Sequence, residues 1–338
     1  MVDQHPSWSI SSGDLAQAVL SLEPKVKSGR RNWFAANPTE GVVGLGLAHP
    51  KGEAVNSATL DVVSREAVKE EGEAAATSEP QVELENGHTR VSPGEDMIQI
   101  ANVYMERARE SAWSEDAVVS CAKAVQSQWS QVSAQSYGDL TNEAKEAGLS
   151  AMRKVCSLFE RANERLDRHS ERLLYQWGVA LSQHAEMVQG STALDLWKLA
   201  KSKYGASISA SKRTGGAGSA EAYNNLGLAC HKALVLMAEG ERFGITDQAQ
   251  EAREAIASFA SAVKLQPSFH RAVYNLGNVV YQHGAVLARW AEGQESGHGT
   301  TDEEIQSECK STAAQLMLLA HRSHPGIRIY KEALSALG

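Results

Sequence analysis

The chain has 338 residues, of which 42% are hydrophobic, so it is long enough for one large or two ordinary domains with a sizeable core. A formal net charge of -8 and a pI near 5.8 argue against a general attraction to nucleic acid or to anionic lipid. The four cysteines are scattered without paired spacing, which indicates neither a disulfide framework nor a zinc motif and favours a reducing interior.

No apolar run reaches the length of about 18 residues that a membrane-spanning helix needs, so no membrane span is predicted. The N-terminus lacks the charged and apolar blocks of a secretory signal. We therefore predict a soluble intracellular protein that is not secreted and is either cytoplasmic or organellar. Import into an organelle such as a plastid stays open, because residues 1–35 are rich in serine and contain Arg30 and Arg31, although Asp3 and Asp14 are atypical of transit peptides.

Residues 1–95 are predicted to form a mostly disordered N-terminal arm. Residues 37–96 contain no Phe, Trp or Tyr and are rich in Gly, Ala, Glu, Ser and Pro, so they cannot bury enough surface to fold alone. The preceding piece carries Trp8, Leu15 and Trp33, which also suit an amphipathic helix or a docking motif. Composition favours the disordered tail.

A helical segment is predicted over residues 96–170. It follows a capping-type start at Ser92-Pro93-Gly94 and contains three runs of apolar residues at helical spacing, beginning near residues 97, 114 and 141. The third run carries many charged residues, which we interpret as a solvated helix face rather than a binding strip.

The remaining residues, 171–338, contain a repeated template. Tyr223-Asn-Asn-Leu-Gly227 and Tyr274-Asn-Leu-Gly277 place Leu-Gly at equivalent positions 50 residues apart. A weaker copy precedes them at Leu174-Tyr-Gln-Trp177-Gly178, followed by Ala200 and Tyr204. Downstream of the two stronger copies, the same intervals of four, three and five residues separate Ala255, Phe259, Ala262 and Pro267, and again Ala313, Met317, Ala320 and Pro325.

These residues resemble the tetratricopeptide repeat, in which helical hairpins carry an aromatic residue, then Leu-Gly, then a small-aromatic-small row and a helix-ending proline. The resemblance implies an all-α fold of antiparallel hairpins stacked as a right-handed solenoid, with three repeats over residues 171–338 and a C-terminal capping helix. The hairpins are lengthened, since the middle unit spans 50 residues against about 34 in a standard unit. Glycine within a helix costs about 1 kcal/mol, so Gly227 and Gly277 are predicted to mark close helix contacts.

In this family the first helix of each unit lines a concave groove that holds a peptide. The resemblance therefore implies a non-catalytic scaffold, an adaptor or an assembly factor, that binds a protein segment. Asparagine, tyrosine and arginine side chains suit such a groove because they contact backbone amides, apolar groups and carboxylates respectively. The predicted groove residues are Arg172, Tyr175, Asn224, Asn225, His231, Arg271, Tyr274, Asn275, Asn278 and Tyr281.

Family members that hold the acidic C-termini of cytosolic chaperones carry a two-carboxylate clamp of Lys and Asn, then Asn, then Lys and Arg. Here Asn225 matches the second-unit asparagine and Arg271 is a basic substitute. Tyr175, Val179 and Asn275 occupy the other three places. The resemblance thus implies a protein partner other than that chaperone tail, with its identity left open.

Two alternatives belong to other classes. A basic stretch beside Trp197 and Tyr204 would suit RNA or an acidic surface, although the net charge makes nucleic acid the less favoured partner. Its cations are Lys198, Lys201, Lys203, Lys212 and Arg213. The other alternative is a structural subunit whose long helices pack within a larger complex.

No set of residues assembles an active site, so we predict no enzyme, no cofactor and no metal. Cys230 and His231 are neighbours on a predicted helix and point about 100° apart, which favours Cys230 as a core residue over a nucleophile. His321 and His324 have no second pair of ligands beside them, which favours surface or capping histidines over a shared metal.

Overall fold

The computed structural model describes residues 93–135, 142–166, 170–239, 243–292 and 302–337. Within these ranges every regular element is an α-helix, which confirms the all-α prediction. The predicted arm lies outside the described residues up to Ser92, and its last three residues belong to the first helix. The helices of the described ranges are α1 (Pro93–Glu110), α2 (Glu115–Gln135), α3 (Asn142–Arg165), α4 (Glu171–Glu186), α5 (Gly190–Arg213), α6 (Ala220–Glu239), α7 (Ile245–Leu265), α8 (His270–Glu292), α9 (Asp302–Ser323) and α10 (Arg328–Leu337).

The described chain divides into two compact units at the boundary between Gly218 and Ser219. The N-terminal unit contains α1 to α5 and the C-terminal unit contains α6 to α10. The boundary follows α5, where the sequence has a glycine-rich stretch in place of the proline that closes a repeat. The first predicted hairpin, α4 with α5, therefore belongs to the same unit as the three helices before it.

In the N-terminal unit, α1 packs on α2 and α3, and α3 packs on α4, which pairs with α5. Ser170 caps α4, since its side chain accepts a hydrogen bond of 3.0 Å from the Leu173 amide. Phe159 of α3 stacks on Trp177 of α4 with ring centroids 6.3 Å apart. These two buried rings join the predicted helical segment to the first hairpin.

The C-terminal unit consists of the hairpins α6/α7 and α8/α9, with α7 packed on α8 and α10 packed on α9. The helices end close to where the prolines predict. Pro267 follows the end of α7 at Leu265, and Pro325 follows the end of α9 at Ser323.

The repeat glycines lie at close contacts between helices, as predicted. A Cβ atom at Gly227 of α6 would lie 2.8 Å from the ring of Phe259 in α7. A Cβ atom at Gly277 of α8 would lie 3.3 Å from Met317 Cγ in α9. In each hairpin, the glycine of the first helix thus leaves the space that a large side chain of the second helix fills.

The weaker first copy shows the same packing. A Cβ atom at Gly178 of α4 would lie 2.6 Å from the Tyr204 ring in α5. Ala200 and Ser207, four residues before and three after Tyr204, are both fully buried. The small-aromatic-small row is therefore present in this hairpin too, with serine in its last place.

Candidate functional site

The first helices of the two C-terminal hairpins, α6 and α8, are joined by a row of polar side chains, three of them buried and one half-buried. Asn275 Nδ2 donates to Asn224 Oδ1 at 3.1 Å, and His231 Nε2 lies 2.9 Å from Gln282 Oε1. Both bonds join residues that are 51 positions apart in the chain. The two helices therefore lie side by side, with each residue of these bonds facing a position one beyond its equivalent in the 50-residue repeat. We call Asn224, His231, Asn275 and Gln282 the polar seam.

A second histidine extends this seam. The His283 ring meets the fully buried His231 ring edge to face, with centroids 5.3 Å apart. Burial lowers the pKa of His231 to about 4, although its hydrogen bond with Gln282 opposes the shift. Burial, together with the neighbouring His231, lowers the pKa of His283 to about 3. Both rings are consequently neutral near pH 7, and the seam carries no charge of its own there.

Eight of the ten predicted groove residues lie in this unit, and most of them face inward. Those that are half-buried keep some accessible surface for a ligand, whereas those that are buried pack within the unit. The half-buried residues are Asn225, Arg271 and Tyr281. The buried residues are Asn224, His231, Tyr274, Asn275 and Asn278.

Gln282 and His283 were not among the residues predicted from the sequence. Gln282 continues the spacing of Asn275 and Asn278 along α8, at intervals of three and then four residues. That polar spacing along one helix face is the signal that would have found it. His283 has no comparable signal, because its role depends on meeting a ring from α6.

Arg172 and Tyr175, the other two predicted groove residues, lie on α4 in the N-terminal unit. Arg172 is exposed and pairs with Asp116 of α2 at 2.5 Å. Tyr175 is half-buried, with its ring centroid 5.8 Å from that of Tyr204. An exposed ion pair of this kind contributes about 0 to 1 kcal/mol to the free energy of unfolding, so Arg172 contributes little to the stability of the fold.

The basic stretch of α5 has only part of the character predicted for it. Trp197 and Tyr204 are buried, so their rings are not available to stack on bases in this structure. Lys203 lies over the ring of Trp177, with Nζ 3.5 Å from the centroid, and burial lowers the pKa of Lys203. The exposed or half-buried cations that remain are Lys198, Lys201, Lys212 and Arg213.

Cys230 is fully buried, as predicted for a core residue. It lies with Glu251 and Glu254 of α7, so that the thiol sulfur and a carboxylate oxygen from each glutamate are within 4.8 Å of one another. A thiolate and carboxylates are donors that divalent metals accept. Glu254 also accepts a hydrogen bond of 3.1 Å from Gln250 Nε2 within α7, and we assign the cluster to the packing of the α6/α7 hairpin.

The described part of the chain is thus an all-α protein of paired helices, two of which are joined by the largely buried polar seam. The chain matches no model of a known protein family, and no curated protein matches it either. None of the helices in the described ranges combines the length and the apolar character that a membrane crossing requires.

Proposed function

We propose that this protein is a non-catalytic scaffold of the tetratricopeptide type, an adaptor or assembly factor that binds a segment of another protein. The alignment of α6 with α8 carries this proposal. Their two hydrogen bonds each join residues 51 positions apart, as expected if equivalent helices of successive repeats stand side by side. Repeat arrays build extended binding surfaces by this kind of stacking.

The binding surface of the C-terminal unit centres on Asn225, Arg271 and Tyr281, which keep accessible area on α6 and α8. Asn224 Nδ2 donates to Asn225 Oδ1 at 3.3 Å, so the seam orients the neighbouring amide. That amide is suited to a peptide backbone, the guanidinium to a carboxylate, and the tyrosine ring to an apolar side chain. Together they favour an extended protein segment that carries an acidic group.

The proposed partner is a protein inside the cell, in the cytoplasm or an organelle, and it differs from the acidic chaperone tail. Three of the five clamp positions carry Tyr175, Val179 and Asn275, which cannot supply the missing cation pair. Asn275 is also buried and bonded to Asn224. Nucleic acid is disfavoured because the formal net charge is -8.

Affinity capture with a matched control tests the proposal. The Asn225→Ala/Arg271→Ala variant removes an amide and a cation from the proposed surface. The Gln250→Ala/Lys264→Ala variant removes the same two kinds of group from exposed positions on α7. Partners that bind the surface should be depleted at least about tenfold with the first variant, equivalent to about 1.4 kcal/mol of binding, and retained with the second.

A synthetic peptide of the captured segment should then bind the wild-type chain and the control with equal affinity in calorimetry. Circular dichroism must show that all three proteins are equally helical. Equal capture of every partner by the wild type and the Asn225→Ala/Arg271→Ala variant would contradict the proposed surface.

A further inference from the structure

Tyr330 connects the C-terminal helix α10 to α8. Its ring is fully buried and lies 4.8 Å, between centroids, from the ring of Tyr274. Its hydroxyl lies 2.6 Å from His270 Nδ1, at the start of α8. Helices shorter than about 12 residues are marginal alone in water, and α10 has 10 residues. Its helical state therefore depends on contacts such as these.

A second histidine stands at the entrance to α10. His324 lies in the turn between α9 and α10, where its backbone carbonyl accepts a hydrogen bond from the Ile327 amide. Its ring covers the ring of His270, with centroids 3.5 Å apart and planes inclined by 32°. Two neutral imidazoles stack favourably at this distance, whereas two imidazolium ions would repel each other.

The elements packed around this pair carry mostly basic groups, of which Arg271 acts on His270 and disfavours a proton there. Arg271 follows His270 on α8, and the last turn of α7 carries Lys264. The last turn of α9 adds His321 and Arg322, while α10 brings Tyr330 and Glu332. Glu332 is the acidic group of α10 and lies in an exposed ion pair with Arg328, so it offers a proton on His270 little compensation.

We infer that His270, stacked against His324, forms an acid-sensitive latch that holds α10 on α8 while the His270 ring is neutral and releases it when that ring is protonated. Release separates Tyr330 from Tyr274 and uncovers the part of α8 that the tyrosine contacts. This inference does not depend on the proposed scaffold function, because its readout is the docking of one helix.

The direction of the pH effect follows from His270. Burial, then the charges of His324 and Arg271, lower its pKa to about 4 with α10 docked. With α10 released the ring returns toward about 6.5. The released state therefore binds the proton more tightly, so docking is fully stable above about pH 6.5 and weakens as the pH falls toward 4. At pH 5 these values weaken docking by at most about 30-fold through His270 alone.

Hydrogen exchange of the full chain, followed by mass spectrometry, measures this directly. Protection factors for peptides covering Arg328–Leu337 should fall by up to about 30-fold between pH 7 and pH 5, after correction for the intrinsic pH dependence of exchange. A His270→Gln/His324→Gln variant should lose that pH dependence, because glutamine does not titrate and its amide can still bond the Tyr330 hydroxyl. Lys331→Gln removes an exposed cation from α10 and should behave like the wild type.

The single variant His324→Gln keeps the test valid if replacing His270 releases α10 at every pH. His324 is exposed, so His324→Gln leaves the core intact. It should keep α10 protected at pH 7 and lose less protection at pH 5 than the wild type, because one source of repulsion is gone. Unchanged wild-type protection of α10 between the two pH values, an equal loss in the double variant, or an equal loss in His324→Gln would each overturn the latch.

Discussion

Replacing Gly227 by alanine tests the helix packing that defines the repeats. The added Cβ atom would lie 2.8 to 2.9 Å from three atoms of the Phe259 ring, whereas ordinary contacts begin at 3.4 Å. The ring would have to retreat by about 0.6 Å into a core where it has no exposed surface. Such overpacking costs about 1 to 3 kcal/mol, and the better helix propensity of alanine returns about 1 kcal/mol. We expect a net loss of about 1 kcal/mol, and at most about 2 kcal/mol, in the free energy of unfolding.

Urea unfolding followed by circular dichroism measures this loss as a lower midpoint at an unchanged slope. Gly205→Ala is the matched control, because Gly205 lies within α5 and its Cβ atom would meet no atom of the described residues within 4 Å. That substitution should stabilise the protein by up to about 1 kcal/mol. The two alanine variants are therefore expected to have opposite signs.

The reasoning is refuted if Gly227→Ala stabilises the protein as much as Gly205→Ala does. Repeating the substitution in a Phe259→Leu variant tests whether the contact with the Phe259 ring causes the loss. Phe259→Leu replaces the ring by a smaller side chain, so Gly227→Ala should be neutral or stabilising in that background. A loss that persists without the ring would mean that the Gly227 contact is not what limits this position.

Acid should also weaken the polar seam, because the folded-state pKa values of His231 and His283, about 4 and about 3, lie below the value near 6.5 of an unfolded chain. The contribution of the two neutral rings to the free energy of unfolding is then fully present above about pH 6.5. It falls at lower pH, by up to about 2 kcal/mol for each ring at pH 5. Urea unfolding of the wild type and of a His231→Gln/His283→Gln variant at pH 7 and pH 5 measures this loss. Asn224→Ala should cost about 1 to 3 kcal/mol, because it leaves the buried Asn275 amide without its acceptor. A double-mutant cycle with Asn275→Ala should show that the two losses do not add. Burial raises the pKa of Cys156 to about 12, so iodoacetamide should label this thiol at pH 8 only after unfolding, as mass spectrometry of native and urea-treated protein would show.

The repeat template predicted the packing inside each hairpin. The template marks where a small residue of one helix faces a large residue of the other. Such contacts require particular residue types, which are visible in a single sequence. The contact of Gly227 with Phe259 could be predicted from the sequence for this reason, and so could the helix ends before Pro267 and Pro325. The weaker copy also carried this information, since Gly178 faces Tyr204 in the same way.

The packing between hairpins could not be predicted from the sequence in the same way. Asn224 and Asn275 look like surface residues in a sequence, because periodicity alone classes polar side chains as solvent-facing. In the structure each amide is buried because it has the other as its partner, and that pairing joins positions 51 residues apart. The division of the chain after Gly218 was equally hidden, since the template in α4 and α5 says nothing about which helices the hairpin packs against.

The burial of the polar seam also bears on how the C-terminal hairpins are held in alignment. A purely apolar contact between α6 and α8 would tolerate a shift by one helical turn, because apolar side chains repeat at that spacing. The same shift would break the Asn224–Asn275 and His231–Gln282 bonds together and leave three buried polar side chains and the half-buried Gln282 to be satisfied elsewhere. Buried polar pairs fix the register of coiled-coil helices by this penalty, at some expense in stability. Applied here, the seam discriminates against misaligned hairpins, and the half-buried Asn225 beside it takes its position on the proposed binding surface from the same alignment.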